Sequence, residues 1–141
     1  MIRKIKNNDI SNLCLFLQAR DPSKTMKEIL RLAKDCITSR KLAYIIDNEV
    51  DITGLILVEK EDDKYYLTIE SSSKNDCNHL LSVLFWDFHK DLYARIKKTN
   101  KVGFLLKKHK FKIIEKNDDG FVMFYSPKWK DNRYANKRRV T

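Results

Sequence analysis

Thr99-Asn-Lys-Val-Gly-Phe-Leu-Leu-Lys-Lys-His-Lys-Phe111 reads as one short helix over 102–108, entered from a polar turn and left into a hairpin. The hairpin arms, 111–114 and 121–125, flank Asn117-Asp118-Asp119-Gly120, a composition that supplies the backbone freedom a tight β-turn needs. Just upstream, 92–96 is a short apolar strand. Before it, a helix over about 75–90 carries Leu80, Leu81, Leu84, Phe85 and Phe88 at helical spacing. Core packing is the ordinary explanation for Trp86 on that helix.

The N-terminal half has its own pattern. A strand over 2–6 is followed by Asp9, which can cap a helix with Ile10, Leu13, Phe16 and Leu17 on one face; Pro22 ends it. Thr25-Met-Lys-Glu28 is a capping box opening a second helix that carries Met26, Ile29, Leu30, Ala33 and Ile37. Three strands follow, over 42–46, 52–58 and 65–70, separated by polar turns. The predicted order is β-α-α-β-β-β-α-β-α-β-β. It implies an α/β (mixed α+β) fold: a twisted sheet with the three central strands adjacent, the long helix on one face and the first two helices nearby.

A chain of 141 residues with 43% hydrophobic content suffices for one domain. We divide it into a domain over 1–126 and a basic arm over 127–141. The net charge of +10 is uneven: 1–94 are net −1, 95–112 net +8, 113–126 net −2 and 127–141 net +5. Such concentration attracts polyanions or acidic protein surfaces, although a solvated basic face would carry the same charge. Lys107, Lys108, Lys110, Trp129, Tyr134, Lys137, Arg138 and Arg139 are the candidate partner-binding residues, the tail mixing aromatic with basic side chains. No apolar run is long enough to span a bilayer, and the N-terminus lacks an apolar signal core. The three cysteines, Cys14, Cys36 and Cys77, have neither disulfide nor zinc spacing, which fits a reducing, cytoplasmic setting. His79, His89 and His109 match no metal motif, so no metal is expected.

The element order, together with 99–111 and its hairpin, resembles the GNAT fold of acyl-CoA-dependent N-acetyltransferases. The resemblance covers 1–126 by element order and about 99–125 by residue pattern. It implies acetyl-CoA as cofactor, held by an Arg/Gln-x-x-Gly-x-Gly/Ala turn after the fourth strand. There, backbone N–H groups and a helix N-terminus approach the pyrophosphate. In this chain Ser72 takes the Arg/Gln position, Asn75 and Cys77 take the glycine positions, and Asp76 adds a negative charge. Lys74 and the hydroxyls substitute in part. The family's general-acid tyrosine falls on Leu106. Glu70 ends the third central strand, where some members keep a carboxylate that deprotonates the amine; a strand-end surface carboxylate is the plain alternative. Cys77 at a helix start could be an activated thiolate, or a buried inert thiol.

The chain also resembles small GNAT-like proteins of short-tailed bacteriophages, counted among internal virion or assembly proteins. The altered turn and the absent tyrosine imply a non-enzymatic assembly or virion component without cofactor, docking through its basic C-terminal surface. They imply acetyl-CoA binding weaker than about 1 mM. An active N-acetyltransferase and a nucleic-acid-binding accessory protein are the alternatives.

Overall fold

The computed structural model describes residues 1–38 and 42–128. Its elements are β1 (Ile2–Lys4), a single 3-10 turn (Asn7–Asp9), α1 (Ile10–Arg20), α2 (Met26–Thr38), β2 (Leu42–Asp47), β3 (Ile52–Glu61), β4 (Lys64–Ser71), α3 (Lys74–Asp87), β5 (Leu92–Lys97), α4 (Val102–Lys108), β6 (Lys112–Lys116) and β7 (Gly120–Tyr125). The seven strands form one sheet in the order β1-β2-β3-β4-β5-β7-β6. All neighbours are antiparallel except β4 and β5.

Side-chain alternation separates two cores. Ile56 and Val58 of β3 join Leu67 and Ile69 of β4 beneath Leu80, Leu81 and Leu84 of α3. Leu55 and Leu57 point the other way, under Leu13, Phe16, Ala33 and Ile37 of α1 and α2. Because β3 is buried on both faces, residues 55–58 read as an unbroken apolar run. Its neighbour β4 keeps strict alternation, with Thr68 exposed and Glu70 half-buried on the α1/α2 side. The two helices do not cover that part of the sheet, and a groove opens there.

Local chemistry sets the element ends. The Thr25 hydroxyl accepts the Glu28 N–H at 3.2 Å, and Ser73 caps α3 by accepting the Asp76 N–H at 3.1 Å. Asp9 acts differently from the simple cap expected: its carboxylate accepts the Lys6 N–H at 2.7 Å and two Arg3 N–H groups at 2.9 and 2.7 Å. Gly120 is required by close approach, since a Cβ there would lie 2.0 Å from the Ile96 carbonyl oxygen. The long helix ends at Asp87, earlier than residue 90, so Phe88 lies beyond it. Trp86 is 81% exposed and takes no part in the core, correcting the packing role expected of it. The Tyr44 hydroxyl donates to the Asp87 carboxylate, tying the end of α3 to β2; burial and that carboxylate push the Tyr44 pKa up to about 12.

The Arg3–Asp9 pair gives a stability prediction. Asp9 is buried, and its hydrogen bonds from Arg3 hold the carboxyl below the usual carboxylate range. A carboxyl depressed in the folded state contributes stability above its unfolded value near 4, and loses it as pH falls through the lower folded value. Asp9→Ala is expected to lower stability by roughly 1–3 kcal/mol. It should also flatten the acid limb of a stability-versus-pH curve measured by urea unfolding. An unchanged limb would show that the pair contributes nothing.

Candidate active site

Among the described residues, the one parallel pair in the sheet is also its least complete. β4 and β5 are in register at the single position Tyr66↔Tyr93. Beyond it the strands separate, and their C-terminal ends carry Glu70 and Ser71 on one side and Lys97 on the other. The gap opens to both faces of the sheet.

On the α3/α4 face a cavity of about 510 Å³ is lined by Ser71, Ser72, Ser73, Lys74 and Cys77 from the end of β4 and the first turn of α3, and by Lys101, Phe104, Leu105 and Lys108 from α4. A groove of about 810 Å³ lies on the α1/α2 face. The two share Arg20, Glu70, Asn100 and Lys101. Glu70 therefore stands where the cavities meet. Arg20 Nε and Nη2 both hold its Oε2 at 3.1 Å, whereas Oε1 has no partner among the described residues.

The wall facing the α3 N-terminus is cationic. Lys101, Phe104 and Lys108 fall at i, i+3 and i+7, on one stripe of α4. Phe104 is 72% exposed at the cavity mouth. Lys74 stands against Lys108 and holds its pKa below the ordinary lysine value. His109 Nε2 lies 2.9 Å from Asn78 Oδ1, fixing the end of α4 to α3. Asn100 Oδ1 accepts the Val102 N–H at 3.0 Å and fixes its start. Lysine ammonium groups clustered beside a capped helix N-terminus suit phosphate groups.

The altered turn takes on a different meaning in three dimensions. Ser72 and Cys77 line the cavity, but Asn75 and Asp76 do not, so the acidic charge expected on the phosphate path is not in its wall. Cys77 is buried with Sγ 3.2 Å from Ser71 Oγ, and burial raises the thiol pKa. Burial and a raised pKa favour the inert thiol of the two alternatives. Iodoacetamide at neutral pH is expected to modify Cys77 more slowly than the partly exposed Cys14, as read by peptide mass spectrometry; faster labelling of Cys77 would reinstate an activated thiolate. Leu106 is 0% exposed, packed in the core. Lys107 and Lys110 are exposed and line neither cavity. Trp129, Tyr134, Lys137, Arg138 and Arg139 lie outside the described residues, as does almost all of the arm placed at 127–141.

No protein-family model matches the chain, and no curated protein does. Solved structures match along nearly its whole length. An aminoglycoside 6'-N-acetyltransferase in complex with coenzyme A superposes with a TM-score of 0.74 at 13% identity, over 90% of this chain and 97% of that one. The aminoglycoside 6'-N-acetyltransferase of Enterococcus faecium gives 0.72 at 11% identity, over 90% and 97%. The ribosomal-protein-S18-alanine N-acetyltransferase of Escherichia coli gives 0.65 at 13% identity, over 88% and 91%.

The fold is that of the GNAT N-acetyltransferases. The leading structural neighbours of this scaffold are acetyltransferases, which overturns the expectation of a non-enzymatic assembly or virion component and favours the enzyme alternative. Bacteriophage, virion and nucleic-acid roles find no support in the comparisons or in the geometry. The turn without glycines points to a lost cofactor grip; the structure shows a formed cavity beside it. Among the described residues, no helix is long and apolar enough to cross a membrane, and no group of three or more His, Cys, Asp or Glu side chains could hold a metal ion.

Proposed function

We propose that this protein transfers an acyl group from acyl-CoA to a primary amine. The observation that carries the reading is the meeting of two cavities from opposite sheet faces at Glu70, in the gap between β4 and β5. An acyl donor and an amine can reach one another there without either crossing the sheet.

The residues of the α3/α4 cavity fit a phosphate-bearing thioester. Lys74 and Lys108, with the serine hydroxyls, would hold its phosphates, and the apolar wall of Ile69 and Leu105 suits an uncharged arm. The grip is by side-chain cations in place of a glycine turn. Acyl-CoA, when bound, supplies a carbonyl activated by sulfur. Glu70 Oε1 takes the proton of the attacking ammonium, while Arg20 keeps the carboxylate fixed through Oε2. As the C–N bond formed and the C–S bond broke, the nitrogen's second proton would pass to solvent, and Lys101 would offer charge and a proton to the departing sulfur and be recharged from solvent. With Leu106 in the tyrosine position, Lys101 is the cation common to both cavities beside Arg20.

Calorimetry with acetyl-CoA tests the donor half. A Kd of roughly 1–100 μM is expected, about −8 to −5.5 kcal/mol. Absence of binding at millimolar concentration would overturn the proposal and restore the weak binding read from the altered turn.

A further inference from the structure

The groove on the α1/α2 face differs in charge from what a polycationic amine requires. Two of its charged pairs are internally satisfied. Arg20 holds Glu70. Arg95 is bidentate to Glu61 at 3.0 Å and lies over the Tyr66 ring at 3.8 Å. Three ammonium groups, from Lys24, Lys97 and Lys101, have no ion-pair partner among the described residues. Asp21 is the acid that feels Lys24 and Lys97, and its carboxylate is already held by Ser23 through N–H and hydroxyl. Asp35 and Glu59 line the groove from α2 and β3. Over the whole groove these free charges balance, three lysines against Asp21, Asp35 and Glu59, but they are unevenly placed: the end of β5, the β5–α4 connection and the α1–α2 loop bring Lys24, Lys97 and Lys101 against Asp21 alone.

From this surplus we infer that the acceptor is an amine that carries its own anionic group, a carboxylate or a phosphate, bound by Lys24 and Lys97 while its amine meets Glu70. The inference rests on the acyl-transfer reading of Glu70 and concerns the other half of the site. It separates this chain from acceptors such as aminoglycosides, whose several ammonium groups would face uncompensated lysines. Placement follows the same logic. An ammonium is drawn to the carboxylate at the gap, and an anion at the other end of the same molecule is drawn to the lysines beside it, so a molecule with both ends has one productive orientation.

A matched series of amines tests it: ε-aminocaproate, aminohexyl phosphate, hexylamine and hexamethylenediamine share one amine and one chain, and differ only at the far end. Affinities are read by ligand-observed NMR at low salt, with and without coenzyme A. The carboxylate and phosphate forms should bind roughly 5- to 10-fold more tightly than hexylamine, with the diamine weakest. Comparing the two anionic forms tells which anion the site takes. In a Lys24→Glu, Lys97→Glu double variant, checked for fold by circular dichroism, the order should invert. Equal binding of all four amines, tightest binding of the diamine, or an order the variant leaves unmoved would each overturn the inference. An anionic preference that holds when coenzyme A does not bind would sustain the inference and sink the cofactor reading.

Discussion

Glu70→Gln is expected to lower kcat for acyl transfer by roughly 10²- to 10⁴-fold while leaving acetyl-CoA affinity essentially unchanged. Glutamine keeps the shape of the side chain and can still accept from Arg20, so the substitution removes the negative charge and the proton acceptor with little else. Oε1 has no partner among the described residues, and the amine's proton has nowhere equivalent to go. Arg20 is a positioning residue, acting through Glu70. Arg20→Ala should reduce kcat less than Glu70→Gln does, and Arg20→Lys should recover part of that loss. Stopped-flow thiol release, with calorimetry for the donor, separates these effects. If Glu70→Gln turns over within a factor of about three of the parent, Glu70 is the strand-end carboxylate of the plainer reading, and bulk solvent deprotonates the amine.

Most of the scaffold is legible in the chain because its elements are bounded by strong local chemistry. Thr25 and Ser73 cap helices through their hydroxyls, Asn117 accepts the Asp119 and Gly120 N–H groups in the last hairpin, and the apolar periods locate every strand. Misplaced features follow from a period carried too far. Trp86 sits next to Phe85 in an apolar-rich helix, but its own direction, a hundred degrees around the axis, faces solvent. The hydrophobic count of a helix does not say which of two adjacent aromatics is inside; that is fixed by the sheet against which the helix packs.

The site was much harder to read, for reasons of distance along the chain. Glu70 could be singled out by its place at a strand end, but Arg20 lies fifty positions away and nothing near it in sequence marks it as a partner. The separation of β4 from β5 is a property of one missing ladder, and both strands look ordinary by themselves. The turn after β4 reads differently in sequence and in space. Judged as a backbone cradle, it lacks glycines and carries an acid. In space Asn75 and Asp76 leave the cavity wall, and Lys74 of the turn is joined by Lys101 and Lys108 from the start and end of α4, some thirty positions later. A sequence signal for that substitution does exist: Lys101, Phe104 and Lys108 repeat at helical spacing, so the charge on α4 forms a stripe and is not a diffuse basic surface.

Lys74→Glu with Lys108→Glu should weaken acetyl-CoA binding by roughly 10- to 100-fold at low ionic strength, because each reversal turns an attraction for a phosphate into a repulsion. The two ammonium groups repel one another in the free protein, which is why Lys108 gives up its proton more readily than an ordinary lysine. A bound polyanion relieves that repulsion and favours the charged form. The sign of the pH dependence follows: affinity should be level through neutral pH and fall as pH rises through the lowered Lys108 value, sooner than for an isolated lysine. Added salt should weaken the parent strongly and the double variant little. Lys107→Glu with Lys110→Glu is the control, because these two lysines belong to the same basic block but line neither cavity. It should leave the Kd close to that of the parent. If the control weakens binding as much as Lys74→Glu with Lys108→Glu does, the block acts as a general electrostatic field and the cofactor's phosphates have no site between α3 and α4.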